Sequence, residues 1–402
     1  MLKTCFLAST SLLFIGLFFS ACQPSDAQSD KEAFNIMAYY VPEEDYQPEN
    51  LPLDRLSHII FSFSKVIDGE MKFRHEEAGE KLRLLVEQRK KYPQLKVMLA
   101  CGGWGAGGFS DMAVTAEGRS KFVLSTIRMI EEYQLDGIDM DWEYPALDYA
   151  DIDARESDTQ TFTLLMKELR EEMDKLDRPM TLTFASAGWE YYYEKIELNE
   201  VMKYADYMNV MTYDQVTGTF PYTGHHTPLG HIKSEDLTNY PIYQYYEERD
   251  SIAQAQGRPA FKPRSVKSIV AYCIDQGVDP SQIIIGGAFY GRAWKGVPPK
   301  DNGLYQPNKG TYIGWSAYHQ IRDKYENKNG YTRYWDEVAE APYLYSPTDS
   351  IFFSYDDTAS VKLKTRYAIE EDLGGIMFWE LGNDTKEENS LLSAIYEAAV
   401  DK

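Results

Sequence analysis

Basic side chains are scarce in this 402-residue sequence: 41 Lys and Arg stand against 63 Asp and Glu, a formal net charge of −22. Phosphate backbones need a basic surface, so this balance argues against nucleic acid as a partner. Cysteine is scarce too, with four in the chain, and Cys5 and Cys22 fall near its N-terminus. The other two, Cys101 and Cys273, make no disulfide framework and are expected to be buried free thiols. No Cys/His spacing of the zinc-binding kind occurs, and no metal or cofactor is expected. A comfortable membrane span is also missing, because the apolar run at residues 6 to 19 is too short. What is plentiful is aromatic and apolar content, 14% and 44%, which fits a folded globular chain.

Lys3, the apolar run and "FSAC" have the layout of an export signal over residues 1–21. Ser20-Ala21-Cys22 resembles the lipobox of bacterial lipoproteins, with Phe19 in place of the usual Leu. The resemblance implies a lipid on Cys22, membrane contact through that anchor alone, and a location at the periplasm or cell surface. Residues 22–33, "CQPSDAQSDKEA", are polar and aperiodic and read as a flexible tether.

From residue 34 onward, short apolar runs alternate with amphipathic stretches, the pattern of a parallel sheet with crossover helices. The runs are "FNIMAYY", "LSHIIFSFSKV", "LKVMLACGG", "DGIDMDWEY", "MTLTFASAG", "ADYMNVMTYD", "IIIGGAFYGRAW" and "GGIMFWEL". Eight is the number of a (β/α)8 TIM barrel. An open doubly wound sheet would want a phosphate-binding glycine turn after "FNIMAYY", and none follows. The barrel is expected over residues 34–294 and 357–400. A small α+β lobe is expected over 295–356, inserted between strand seven and its helix. Residues 215 to 262 are too long for an ordinary connection and read as a functional or capping loop.

Reactive groups of such barrels sit at the C-terminal ends of strands. In "LDGIDMDWEYP", alternation sends Ile138, Met140 and Trp142 one way and Asp139, Asp141 and Glu143 the other. If the apolar set meets the helices, the acids point inward. Alternate residues lie roughly 6.6 Å apart along a strand, near enough for coupled titration. That suits Glu143, nearest the mouth, as a general acid. The calcium-loop glycine and distal Glu are absent at the required spacing, which disfavours a metal site. Two carboxyls at a glycosidic bond are compatible with inversion or retention, and distance decides.

With these residues in view, the chain resembles the chitinases of glycoside hydrolase family 18, of the long-cleft subfamily with an inserted lobe. Asp136, Asp139, Asp141 and Glu143 match the signature Asp-x-x-Asp-x-Asp-x-Glu, and "SHIIFSFSKV", "NVMTYD", "GGAFYGRAW" and "GGIMFWEL" resemble the family's second, sixth, seventh and eighth strands. The resemblance implies hydrolysis of β-1,4 linkages in chitin or chitooligosaccharides, with the substrate's own acetamido group as nucleophile. Glu143 is then the acid and base, Asp141 the stabiliser of an oxazolinium ion, Asp139 its proton partner, and Tyr213 a donor to the acetamido carbonyl. Met211, Asp214, Tyr290 and Arg292 would line the same sugar site. Trp379 would be the sugar's platform, Trp104 a stacking surface further along, and Tyr39 or Tyr40 with Phe63 the floor; of the two tyrosines, Tyr40 is the one expected there. Asp136 is expected to be structural. Ala100 stands where the family usually has Ser, which puts the proton balance of the Asp pair in question. An endo-β-N-acetylglucosaminidase acting on N-glycans would use the same chemistry. A non-catalytic sugar-binding relative would typically lack Glu143.

Overall fold

The structure, a computed structural model, describes residues 34–43 and 47–401. The apolar run at 6 to 19, Cys22 and the tether at 22–33 lie outside the described residues. Eight parallel strands pair in chain order: Asn35–Tyr40, His58–Ile67, Lys96–Gly102, Gly137–Asp141, Thr181–Ala187, Tyr207–Met211, Ile283–Ala288 and Gly375–Trp379. The last pairs with the first through Asn35 and Gly375, closing a (β/α)8 barrel.

Local chemistry sets the helix ends. The Thr115 side chain accepts the Gly118 N–H at 3.0 Å and starts the helix Ala116–Tyr133, while Gln134, at φ 54°, ends it. Ser265 and Asp357 cap Val266–Asp275 and Thr358–Glu370 in the same way. Asp136 does structural work where the fourth strand begins, accepting the Val97 N–H at 2.8 Å and Arg89 at 2.7 Å.

Alternation divides the barrel's side chains into two apolar groups. Ile138, Met140 and Trp142 join the large cluster between strands and helices, where the Trp142 ring stacks on Phe109 at 5.3 Å. Met37, Tyr39, Ile60, Met98, Ala100, Ile284 and Met377 fill the barrel interior. Asp139, Asp141 and Glu143 therefore face inward, at the strand's C-terminal end and just past it. Cys101 and Cys273 are buried free thiols.

The run 283–294 is two strands rather than one. Ile283–Ala288 stays in the barrel, whereas Tyr290–Lys295 belongs to a second, antiparallel sheet with Thr311–Ala317, Thr332–Asp336, Ala341–Ser346 and Ile351–Ser354. The hand-over falls at Phe289, whose ring stacks on Phe378 at 4.0 Å and 5°. The second sheet thus begins at Tyr290, five residues before the expected lobe boundary. The long connection after the sixth strand carries the helix Ile242–Ala255 and packs onto this sheet. Val216, Leu237 and Tyr246 share a cluster with Trp294, Tyr305 and Phe352.

One fully buried ion pair locks the junction. Lys364 Nζ lies 2.6 Å from Asp356 Oδ2, which also accepts the Ala288 N–H at 2.9 Å, and Lys364 donates to Thr227 at 2.5 Å. Removing one partner of such a pair strands a buried charge at a cost of about 3–5 kcal/mol. Lys364→Met is expected to destabilise the chain by that order, read from its denaturant midpoint. A midpoint within error of the wild type would contradict this role.

Candidate active site

Asp139 lies at the bottom of the site with no solvent exposure. It accepts hydrogen bonds from Thr183 Oγ1 at 2.6 Å, Tyr39 Oη at 3.0 Å and Asn209 Nδ2 at 3.1 Å. Ala100, its neighbour across the sheet, offers no hydroxyl, so these three donors do the holding. Burial still pushes the Asp139 carboxyl up to about 6 against their pull.

Asp141 is different in kind. Its Oδ1 is buried and has no protein partner. Burial, then the charges of Glu143 and Asp139, push its carboxyl well up. Burial likewise raises Glu143 to about 7, although a hydrogen bond with Tyr144 pulls the other way. All three carboxyls thus keep their protons to higher pH than free carboxyls do, and they titrate as a set.

Asp214 is the counterexample. Burial pushes it up, but the nearby His226 ring, 3.6 Å away, and the hydrogen-bonded Arg292 guanidinium outweigh this and hold it well below the usual carboxylate range. Arg292 reaches it with Nη2 at 2.6 Å from Oδ2. Glu143 and the half-buried Asp214, at the same mouth, are thus shifted in opposite directions, set by whether a guanidinium is in reach.

A cavity of about 1050 Å³ opens over these groups. Of the residues expected in the site, it brings together Asp141, Glu143, Tyr213, Met211, Asp214, Tyr290, Arg292, Phe63, Trp104 and Trp379. Trp379 stacks on Phe63 at 5.5 Å and 22°, with Tyr39 against it at 5.9 Å. Tyr213 packs edge-on to Tyr290 at 6.0 Å, and burial keeps its hydroxyl protonated and able to donate. Trp104 is 65% exposed at the rim, with its edge toward Tyr144 at 6.4 Å.

Tyr40 is a correction. It packs in the helix-side core with Ile36 and Ala38, and Tyr39, one residue earlier, is the tyrosine that faces the cavity. Both faces of this parallel strand are apolar, so alternation in the sequence did not say which tyrosine points inward. Gly102 and Gly103, at the end of the third strand, stand where no side chain fits. A Cβ on Gly102 would sit 1.9 Å from the Asp141 carbonyl oxygen, and one on Gly103 would sit 2.9 Å from the Phe63 ring. The pair lets the third strand's end close on the fourth strand at Asp141 and on the second at Phe63.

Several lining residues went unread in the sequence: Lys65, Trp189, Tyr191, Trp315, Arg249 and Arg258. Trp189 had a signal, since it stands just beyond the strand Thr181–Ala187, where barrel sites are built. Trp315 had none, because it comes from the second sheet, where it stacks along Tyr290 at 6.2 Å and 27°.

An acid still protonated near neutral pH can pass its proton to a poor leaving group such as a sugar oxygen, and flat rings along an open groove suit pyranose faces. Both properties in one cleft define a glycoside hydrolase. Residues 35–384 match the family model described as Glycosyl hydrolases family 18, and the chain belongs to that family. It is 36% identical over 304 residues to Chitinase A1 of Niallia circulans, covering 73% of this chain and 41% of that protein's length. Chitinase B of Serratia marcescens is 28% identical over 386 residues, 85% of this chain and 75% of the relative. Among solved structures, a family 18 N-acetylglucosaminidase from Paenibacillus barengoltzii superposes with a TM-score of 0.77 at 35% identity, covering 91% of this chain and 99% of that one.

Proposed function

We propose that the protein is a chitinase that cuts β-1,4 bonds between N-acetylglucosamine units with retention of configuration, using the substrate's acetamido group as nucleophile. The observation that carries this reading is the buried, unpartnered Oδ1 of Asp141 beside Glu143. A buried acceptor without a donor is costly, and an acetamido N–H supplies the donor at the place where positive charge develops.

The steps follow from the chain's own groups. A sugar rests on Trp379, and the Tyr213 hydroxyl donates to its acetamido carbonyl. Glu143 gives its proton to the glycosidic oxygen as the carbonyl oxygen attacks the anomeric carbon. Asp141 takes the N–H bond of the resulting oxazolinium ion, with Asp139 sharing the proton inventory of the pair. Glu143, now a base, draws a proton from water, and the water oxygen opens the ring from the face the leaving group left. The product keeps the β configuration.

The exposed rings of Trp104 and Trp315 along an open groove support a linear oligosaccharide over a branched N-glycan. Export and attachment to a membrane through a lipid on Cys22 belong to the same proposal.

Chitotetraose hydrolysis followed by proton NMR tests it, with the β-anomer expected first. An α-anomer first, or release of N-glycans without any cutting of chitotetraose, would overturn it. The pH dependence has a worked sign. Glu143 must hold its proton, so kcat/KM is expected to fall above about pH 7, and uptake of a second proton by the Asp pair lowers it again below about pH 6. A profile flat from pH 5 to 9 would contradict these assignments.

A further inference from the structure

One wall of the cleft sets Arg249, Arg258 and Arg264 among the acids Glu190, Glu247, Glu248 and Asp250, in a chain whose formal charge is −22. It is built by the helix Ile242–Ala255 and the turn after it, tied together where Asp250 Oδ1 accepts the Phe261 N–H at 2.9 Å. Two aromatic rings there each carry two cations. Phe261 has Arg249 at 5.8 Å and Arg264 at 5.6 Å from its ring centre, and Tyr191 has Arg258 at 4.8 Å and Lys195 at 5.0 Å.

Only one of these cations is neutralised among the described residues. Arg264 bonds Glu190 at 3.0 Å, the acid that lines this end of the cavity. Arg249 and Arg258 line the same cavity, are exposed, and make no ion pair with any described residue. A guanidinium lying over a ring spends its face on the contact and leaves its in-plane N–H groups free, the geometry that takes a carboxylate in two parallel hydrogen bonds.

The position matters as much as the charge. Tyr144 follows Glu143, and from it a row of rings runs to Trp189 at 4.9 Å, two residues before Tyr191. Arg249 and Arg258 are thus reached along the groove that starts at the general acid. An overall acidic molecule repels an anionic polymer, so two guanidiniums in the substrate groove that no described acid pairs with have a selective effect on what enters.

We propose that Arg249 and Arg258 form a distal subsite for a carboxylate carried on the amino-sugar chain, so that the preferred substrate is an acidic derivative of the polymer rather than the neutral one. This rests on the family 18 glycosidase reading above and names the substrate class of the same cleft.

The probes are carboxymethyl chitin and neutral glycol chitin, with wild type and the Arg249→Gln/Arg258→Gln double variant, at low and at physiological ionic strength. The expected result is a wild-type kcat/KM ratio favouring the carboxymethyl polymer, a fall of that ratio by about tenfold in the variant through KM, and a smaller ratio at higher salt. An equal ratio in both proteins, or a ratio below one that rises with salt, overturns the subsite. Binding of both polymers to Glu143→Gln, followed by tryptophan fluorescence, separates the two readings. Tight binding of the carboxymethyl polymer that the arginine changes abolish upholds the subsite even where no hydrolysis is found, and equal binding of the two polymers refutes it. Loss of hydrolysis by wild type on both polymers counts against the chitinase reading instead.

Discussion

Glu143→Gln is expected to lower kcat on chitotetraose by about 10³-fold while leaving KM close to the wild-type value. Positioned proton transfer contributes about 10² to 10⁴ in such reactions, and this residue is asked to do it twice, as acid and then as base. Glutamine keeps the shape of the neutral carboxyl that burial favours up to about pH 7, so the groove remains formed. The same change has an opposite sign for stability. A carboxyl raised in the folded state contributes its full stability below its unfolded value and loses it as pH climbs through about 7. The variant is therefore expected to melt higher than the wild type at pH 8, and by a smaller margin at pH 5. Unchanged kcat would remove Glu143 from the chemistry, and a lower melting point at pH 8 would contradict its buried neutral state.

Asp141→Asn is the second large effect, an expected loss of about 10²-fold in kcat. The amide cannot take up the negative charge that the oxazolinium N–H calls for, and one removed hydrogen-bonding group aimed at developing charge costs about 10² to 10³ in rate. A merely structural Asp141 would behave differently. Its replacement would change stability and leave the pH profile in place, whereas the proposed role predicts that the acid limb near pH 6 disappears with the Asp pair. Steady-state kinetics across pH 5 to 8 distinguishes the two. A retained limb with near-normal kcat would return Asp141 to a packing role.

How far the sequence spoke can be traced residue by residue. The barrel was legible because eight apolar runs came at regular intervals, and the direction of the acid row was legible because its strand alternates strictly between apolar and acidic positions. Tyr39 and Tyr40 show where this stops. In "NIMAYY" both faces are apolar, so period-2 alternation carries no sign, and only the closed ring says which side is the interior. The passage from barrel to second sheet at Phe289 was hidden for a similar reason: "IIIGGAFYGRAW" is continuous in character while the chain changes partners in the middle. Trp315, Arg249 and Arg258 reach the cleft through long-range docking of irregular segments, and no local pattern encodes that.

The shared cluster of Val216, Leu237 and Tyr246 with Trp294, Tyr305 and Phe352 has an implication for how the molecule can be altered. The connection after the sixth strand and the second sheet both line the groove, and they are glued to one another through one oily seam. Exchanging either segment alone for a relative's would leave half of that seam facing water and the other half without a mate. A chimera should therefore fold only when both are exchanged together, which makes the pair, and not the single loop, the unit by which substrate range can drift or be redesigned.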